Sequence, residues 1–248
     1  MRTVFPYQAE DRLKAEFVDP SRRGYFVEVG ANDPQRGSQS WQFEQAGWTG
    51  LLIEPQPDLA ERLRRTRRAR VVAAACSSPA NSGGSVRLYL CGWHSSLQPG
   101  LVVTGVAPHG AIEVPARTLD DILVEADAPI PIDFVSIDVE GHQLEVLRGF
   151  DLPRWRPRLI LIEDHVTDLA THRRLTRSGY RLIRRTGDNG WYVPQSEAPP
   201  LGLGRWEIFR KYYLGLPFRK LRERKRRLRD RLRRRFGRLA RSSQSWPI

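Results

Sequence analysis

Short apolar segments alternate with amphipathic ones along most of this chain, and no other feature constrains the fold as strongly. Residues 25–31, 50–55 and 70–77 are strand-like, and helix-like segments at 38–47 and 57–68 lie between them. Helices that separate consecutive strands are typical of a parallel sheet with helices on both faces. The first third of the sequence therefore predicts such a sheet.

The second half of the chain continues this pattern but closes it differently. Two more strand-like segments, 132–137 and 158–165, are each followed by a helix-like segment. Residues 180–194 then form two strand-like stretches around Gly-Asp-Asn-Gly, a strong hairpin signal. A hairpin forces one antiparallel strand into the sheet. We therefore expect an α/β fold with a mostly parallel seven-stranded sheet and an antiparallel hairpin at its C-terminal end.

The chain between the third and fourth of these strands is less regular. Residues 85–90 alternate between polar and apolar and predict an extra edge strand or a hairpin arm. Residues 91–113 are rich in Gly, Pro, Ser and His, and loops of this length are usually functional. A helix is expected over 116–126, entering from Thr118.

Composition divides the chain into three parts. Residues 1–24 form a polar lead-in, residues 25–204 the predicted domain, and residues 205–248 a basic tail. The net charge of +13 belongs to that tail: residues 1–204 hold 24 Lys and Arg against 25 Asp and Glu, whereas residues 205–248 hold 17 against 3. The body of the protein thus has no charge of its own that would favour polyanions.

Within the basic tail, residues 218–241 are helical in composition and carry Leu and Phe at steps of three and four residues. A basic helix with such an apolar stripe is typical of proteins that lie on an anionic membrane surface. Two other interpretations stay open, a solvated and partly disordered tail and a nucleic-acid contact. Aromatic residues are sparse in the segment, which disfavours the base stacking common in nucleic-acid binding.

The sequence carries no signal for secretion or membrane insertion. Its N-terminus lacks the apolar core of a signal peptide, and no segment approaches the roughly 18 apolar residues that span a bilayer. Cys76 and Cys91 have no metal-like spacing and are expected to be reduced thiols, with a disulfide as the alternative. These features predict a cytoplasmic protein, peripheral at the inner face of the membrane if the tail binds lipid.

Carboxylates follow four of the five predicted parallel strands. They are Asp33 after the first strand, Glu54 after the second, Asp138 and Glu140 after the fourth, and Glu163 and Asp164 after the fifth. In open parallel sheets, ligands bind at the carboxyl ends of the strands. Buried charges are costly unless a ligand, a metal or hydrogen bonds meet them. The clustering therefore predicts a site, although Asp138 and Glu140 could also serve only to cap the next helix.

The histidines give weaker signals. His165 follows the fifth strand and is as consistent with an ordinary loop histidine as with a catalytic one. His142, on the first turn of a helix, is expected to pack or to face solvent. His94 and His109 lie in the long loop, where a solvated role is favoured over contact with a substrate.

A glycine loop and a distant glutamate suggest a cofactor that contains adenosine. Gly30 and Ala31 allow close backbone approach after the first strand, and Glu54 follows Gly30 by 24 residues. An acidic residue at about this distance accepts hydrogen bonds from the ribose hydroxyls. Ala75 and Cys76 are small enough to flank an adenine. Each signal has a simpler alternative, since Gly30 could mark only a tight turn and Glu54 only a solvated strand end.

Three motifs in combination are more specific. They are FVEVGANDP at 26–34, GWTGLLIEP at 47–55 and SIDVEGHQLEVLRG at 136–149. Over residues 20–195 the chain resembles the FkbM family of S-adenosylmethionine (SAM)-dependent methyltransferases. The resemblance implies a class I methyltransferase (Rossmann-like) sheet and SAM as the methyl donor. It also implies O-methyl transfer to a hydroxyl of a small-molecule acceptor, either a glycan or a secondary metabolite.

The resemblance further implies which residues contact the cofactor. Carried onto this sequence, they are Glu28, Gly30, Ala31, Asn32, Asp33, Glu54, Pro55, Ala75, Cys76 and Asp138. Pro34 departs from the family, which usually has Gly at this position. Because Pro lacks an N–H and fixes φ, it could either rigidify the loop or weaken its contact with the cofactor.

Methyl transfer from SAM requires alignment of the acceptor oxygen and removal of its proton. Asp138, Glu140 and His165 are the candidate catalytic residues, with Glu140 or His165 as the base. Asp138, Glu163 and Asp164 also resemble the Mg²⁺ ligands of catechol-type and macrocin-type O-methyltransferases. Mg²⁺ prefers oxygen ligands, so a Mg²⁺ site at these three carboxylates is a hypothesis.

Two other functions stay open. A methyltransferase-like fold that has lost turnover and acts as a binding protein through its basic tail is consistent with Pro34. A nucleic-acid methyltransferase is suggested only by the tail. The segment after the fourth strand lacks the Asn/Asp-Pro-Pro-aromatic or Pro-Cys motif common in such enzymes.

Overall fold

Strand pairing gives this protein a seven-stranded main sheet and a separate three-stranded sheet. The structure, a computed structural model, describes residues 14–16, 18–19, 21–98, 108–164, 169–197, 209–222, 224–225 and 229. In these residues the strands are β1 (Tyr25–Val29), β2 (Thr49–Ile53), β3 (Arg70–Val72), β4 (Ala75–Cys76), β5 (Ser85–Leu90), β6 (Gly110–Arg117), β7 (Phe134–Ile137), β8 (Leu159–Glu163), β9 (Tyr180–Thr186) and β10 (Asn189–Pro194). The helices are α1 (Trp41–Gln45), α2 (Pro57–Thr66), α3 (Leu119–Glu125), α4 (Gln143–Arg148), α5 (Leu152–Trp155) and α6 (Ala170–Arg177). Short 3₁₀ turns lie at Pro79–Asn81 and Gly92–His94, and a π-helical turn lies at Arg210–Leu214.

The main sheet has the strand order β3-β2-β1-β7-β8-β10-β9. Its first five strands are parallel, whereas β10 runs antiparallel to both β8 and β9. The prediction of a mostly parallel seven-stranded sheet with a C-terminal antiparallel hairpin is confirmed, and this is the class I methyltransferase fold. The strand order reverses between β1 and β7, the position at which open α/β sheets bind ligands.

The centre of the sheet is apolar on both faces. All four residues of β7 are buried, as expected for a parallel strand covered by helices on both sides. Phe43 of α1 stacks on Trp48 with ring centroids 4.6 Å apart and lies 5.0 Å from the ring of Phe134. This aromatic packing fixes α1 against the sheet close to the beginnings of β1 and β7.

The three-stranded sheet corrects two expectations. The predicted strand at 70–77 is two strands, because after Val72 the chain leaves β2 and Ala75 and Cys76 pair with β6. The predicted loop 91–113 gives way to β6, which begins at Gly110 and pairs antiparallel with β5. The segment 85–90 is a strand as predicted, and it lies at the edge of the three-stranded sheet, paired antiparallel with β6.

Helix boundaries follow from local hydrogen bonds. Thr118 caps α3 as expected, with its hydroxyl oxygen accepting from the backbone N–H of Asp121 at 3.0 Å. Ser40 is the N-cap residue of α1, but its hydroxyl donates to Glu28 instead of capping the helix. The helix expected over 38–47 is accordingly only five residues long.

The chain divides into two units, Met1–His165 with Ala170–Leu201 and Val166–Leu169 with Gly202–Ile248. The first unit contains both sheets, and the second contains the helical residues 209–222. No helix among the described residues is long and apolar enough to cross a membrane. Residues 1–13, 17 and 20 of the predicted polar lead-in lie outside the described residues.

Candidate active site

A cavity of about 210 Å³ opens at the carboxyl ends of β1, β2 and β7. The structure brings most of the predicted site residues to its lining, namely Glu28, Gly30, Ala31, Asn32, Glu54, Pro55, Ala75, Cys76, Asp138, Glu140 and Glu163. Asp33 and Asp164 are not among the lining residues. His165 lies outside the described residues.

Gly30 lets β1 meet β7 at the floor of the cavity. Its φ is +84°, and a Cβ at this position would lie 1.8 Å from the backbone carbonyl oxygen of Asp138. The N–H groups of Gly30 and Ala31 both donate to the carbonyl of Ile53, at 2.9 and 3.1 Å. Only glycine fits this contact, which fixes the ends of three strands relative to one another.

Glu54 presents a carboxylate at the edge of the cavity, directly after β2. Its side chain is only 3% exposed, and its two oxygens accept from the backbone N–H groups of Asn32 and Gln56, each at 2.9 Å. Burial raises the pKa of Glu54, and the two backbone hydrogen bonds oppose that shift. The carboxylate is thus held in one orientation, with further lone pairs available to a ligand.

Glu28 borders the same cavity, but its carboxylate braces a loop. It accepts from the hydroxyls of Ser38 and Ser40 and from the N–H of Gln39. Arg67 reaches the same two hydroxyls at 3.1 and 2.9 Å and forms an ion pair with the buried Glu44 at 3.2 Å. A buried network therefore holds the loop that leads from β1 to α1.

Asp33 shapes the turn that contains Pro34. One carboxylate oxygen accepts from the N–H groups of Gln35 and Arg36 at 3.0 and 2.8 Å, and the other pairs with Arg62 at 3.1 Å. Burial opposes ionisation, but these hydrogen bonds and the Arg62 charge hold the pKa of Asp33 below its ordinary value. The turn uses the N–H groups of the two residues after Pro34, so the missing N–H of Pro34 costs it no hydrogen bond.

Three carboxylates cluster where β7 and β8 end. One oxygen each from Asp138, Glu140 and Glu163 lies within 4.8 Å of the others. Burial, followed by the charges of Asp138 and Glu140, raises the pKa of Glu163 from its ordinary 4.5 to about 10. The cluster differs from the predicted set, because Asp164 points to Arg185 at 3.7 Å and Glu140 takes its place.

The 3₁₀ turn Gly92–His94 closes one side of the cavity. His94 Nδ1 lies 2.7 Å from Glu140 Oε1, and the amide of Asn32 donates to the carbonyl of Trp93 at 3.3 Å. Ser96 Oγ donates to the carbonyl of Glu140 at 2.7 Å. The turn therefore spans the space between the glycine loop and the acidic cluster.

The sequence matches the family described as "Methyltransferase FkbM domain" over residues 28–182, more than half of the chain. The chain belongs to the FkbM methyltransferase family. Membership implies SAM as the methyl donor and leaves the acceptor undefined. No curated protein matches the chain significantly.

Solved structures similar to this FkbM-family chain are distant from it. Methyltransferase FkbM from Methylobacillus flagellatus KT is 18% identical with a TM-score of 0.43, covering 69% of this chain and 43% of its own. Monomeric WbdD is 13% identical with a TM-score of 0.44, covering 75% of this chain and 41% of its own. The N-terminal domain of human METTL16 in complex with SAH is 14% identical with a TM-score of 0.40, covering 78% and 70%. This chain thus spans less than half the length of the first two.

Several lining residues of this FkbM-family site were not predicted. Trp93 and His94 lie in the segment 91–113, which was expected to be a functional loop, although a solvated role was favoured for His94. Docking of that segment onto Glu140 brings both residues to the cavity. His142 is half-buried, which agrees with the packing alternative, but its place in the cavity lining was not predicted. Its Nε2 lies 3.0 Å from Ser77 Oγ, and burial lowers its pKa. Arg36 lies over the Trp93 ring at 5.6 Å. A His in a long Gly- and Ser-rich loop was the one available signal.

Proposed function

We propose that this FkbM-family chain is a SAM-dependent O-methyltransferase that methylates a hydroxyl group of a glycan or a secondary metabolite. The observation that carries the proposal is one cavity lined by the Gly30 loop, by the buried Glu54 and by the acidic cluster at Asp138. The sequence expectation placed these groups at a single sheet edge, and their common cavity supports it.

The residues present fit SAM. Glu54 is a fixed carboxylate of the kind that accepts hydrogen bonds from ribose hydroxyls. Ala75 and Cys76 are buried and small, and they leave room for a flat base beside β4. SAM supplies an electrophilic methyl group on a positively charged sulfur. The carboxylates of Asp138 and Glu140 complement a cation in the same cavity.

The proton of the acceptor hydroxyl needs a base. Because the Glu140 carboxylate only accepts hydrogen bonds, the neutral His94 ring places its proton on Nδ1, 2.7 Å from Glu140 Oε1. Nε2 is then left as a proton acceptor on a side chain that lines the cavity. In this proposal the acceptor oxygen would bond to the methyl carbon while the methyl–sulfur bond of SAM breaks and leaves its electron pair on the sulfur. The hydroxyl proton would pass to His94 Nε2, and Glu140 would orient the imidazole and stabilise its charged form.

We keep the hypothesis of a Mg²⁺ site, but Glu140 replaces Asp164 as one of the ligands. Asp138, Glu140 and Glu163 would hold the ion, since three carboxylate oxygens within 4.8 Å are a donor set that Mg²⁺ accepts. The ion would polarise the acceptor hydroxyl and relieve the repulsion among the three carboxylates. Asp164 is no longer part of this set, because it pairs with Arg185.

Calorimetry with SAM tests the cofactor site directly. We expect micromolar binding by the full chain and at least about tenfold weaker binding by Glu54→Gln, which loses a charged acceptor. Glu61→Gln, on the exposed side of α2, is the matched control and should bind as the wild type does. Absence of SAM binding in the folded wild type would instead support the alternative of a binding protein without turnover.

Methyl transfer itself is tested with methyl-labelled SAM and a panel of hydroxylated acceptors. Label should appear in an alkali-stable ether on a sugar or polyketide-type hydroxyl. Transfer to nitrogen or carbon only, or to nucleic acid in preference to these acceptors, would contradict the proposal.

A further inference from the structure

Exposed apolar side chains are concentrated in one helical segment of the chain. Among the described residues, five of the eight exposed large apolar side chains lie there, each between 43% and 69% exposed; they are Phe209, Tyr213, Leu214, Phe218 and Leu221. The remaining three are scattered over the rest of the described chain. Single exposed apolar residues are ordinary, whereas a group in one segment indicates a surface that binds something.

The spacing of these side chains places them along the helix as a stripe. Residues 209–222 are helical throughout, with the π-helical turn at Arg210–Leu214. Steps of four, one, four and three residues separate the five, which is the repeat of a helix face. Phe209 and Tyr213 stack, with ring centroids 5.7 Å apart. We call these five residues the apolar stripe.

The charge around the apolar stripe has one sign. Between residues 209 and 222 there are five Lys and Arg and no Asp or Glu, and residues 205–248 as a whole hold 17 basic against 3 acidic residues. Each Lys or Arg near an anionic bilayer contributes about 1 kcal/mol of attraction. A surface that combines exposed apolar side chains with positive charges is complementary to a bilayer whose acyl chains lie below anionic headgroups.

We propose that the segment 209–222 binds the surface of an anionic lipid bilayer, with the apolar stripe inserted below the headgroups and the helix lying in the membrane plane. A nucleic acid would satisfy the charges but would leave Leu214, Phe218 and Leu221 without apolar partners. In this proposal the helix lies at the membrane surface and does not cross the bilayer, because a single apolar stripe inserts only to a shallow depth. The inference does not rest on methyl transfer.

Flotation of the full chain with vesicles tests the proposal. We expect binding to phosphatidylcholine vesicles that contain about one third phosphatidylglycerol, little binding to phosphatidylcholine alone, and weaker binding at about 0.5 M NaCl. The double variant Phe218→Ser, Leu221→Ser keeps every charge and should bind at least about tenfold more weakly. Val124→Ser is the matched control, since Val124 is 53% exposed on α3 and lies outside the stripe.

Four results would overturn the proposal. They are absence of flotation, equal binding to the two kinds of vesicle, equal binding by the double variant and the wild type, and tighter binding to a nucleic-acid duplex than to anionic vesicles at the same salt. Thermal melting of each variant confirms that the fold is retained, and the substituted side chains are exposed, so no loss of stability is expected.

Discussion

His94 and Glu140 lie 46 positions apart in the sequence, and their side chains form a hydrogen bond of 2.7 Å at the wall of the cavity. If His94 is the base, His94→Ala should lower kcat by about 10² to 10⁴, while KM for the acceptor and the affinity for SAM change little. Added imidazole should restore part of the activity, because the cavity that His94 lines is open to solvent. His109→Gln, on an exposed residue that does not line the cavity, is the control. A variant with full activity, or one that loses SAM binding instead of turnover, would exclude His94 as the base.

The raised pKa of Glu163 predicts that the free energy of unfolding depends on pH in an unusual direction. Its pKa in the folded protein is raised above its ordinary value of 4.5, so between pH 4.5 and about 10 the unfolded chain releases a proton that the folded protein keeps. The contribution of Glu163 to stability is therefore fully present below pH 4.5 and decreases as pH rises through this window. Glu163→Gln removes the titrating group and resembles its protonated form.

We expect Glu163→Gln to melt at the same temperature as the wild type near pH 4.5. Near pH 8, in EDTA, it should be more stable by about 1 kcal/mol or more, which corresponds to about 2–4 °C in Tm. Thermal melts at several pH values measure the difference. A gap that is constant from pH 4.5 to 8 would show that Glu163 does not keep its proton.

A substitution at Asp138 can distinguish whether the acidic cluster holds a proton or a metal ion. If the three carboxylates hold Mg²⁺, about 10 mM MgCl₂ at pH 8 should raise the Tm of the wild type by several degrees through linked binding. Asp138→Asn should abolish that shift and lower activity, and EDTA should do the same to the wild type. Activity that is indifferent to both the substitution and EDTA would remove the metal hypothesis.

Arg67 supports the loop between β1 and α1 from within the core. Arg67→Ala leaves the buried Glu44 without its ion-pair partner, so we expect a loss of about 3 kcal/mol in the free energy of unfolding. Arg65→Ala, whose side chain is exposed and pairs with Glu61, should cost less than about 0.5 kcal/mol. Urea denaturation gives both values. Equal losses in the two variants would mean that the buried pair contributes no more than the exposed one.

The main sheet and part of the site could be predicted because both depend on local patterns. Apolar strands between amphipathic helices specify a parallel sheet, and the ends of parallel strands meet at one edge. Glu54 and Asp138 each follow such a strand directly, and both line the cavity. No knowledge of distant contacts was needed to place them there.

The composition of the acidic cluster depends on finer geometry. Glu163 and Asp164 are consecutive at the end of β8, where successive side chains point to opposite faces, so only one of them can face the cavity. Glu140, whose side chain joins the cluster, has a backbone φ of +45°, a conformation that few non-glycine residues adopt. Its sequence context does not reveal that conformation.

The position of His94 depends on contacts between distant parts of the chain. The strand β6 begins within the segment 91–113, whose composition predicts a loop, and ends in residues 116–117, which were expected to be helical. Its pairing with β5 sets where the turn Gly92–His94 lies. Gln98 and Ser96 then donate to the carbonyls of Gly141 and Glu140, at 2.6 and 2.7 Å. Such contacts leave no periodic signal in the sequence.

The chain leaves the main sheet after β3, forms the three-stranded sheet, and then continues into α3. We call the stretch between β3 and α3 the excursion. Trp93 and His94 lie on this excursion, whereas Gly30 and Glu54 lie on the main sheet. Evolution can therefore change the β5–β6 connection of this excursion without disturbing the main-sheet strands, or β4, whose Ala75 and Cys76 would flank the adenine of the methyl donor. Under the proposed function, homologues that share the SAM-binding residues but differ in this connection should methylate different acceptors. The connection is therefore a suitable place to engineer a new acceptor specificity.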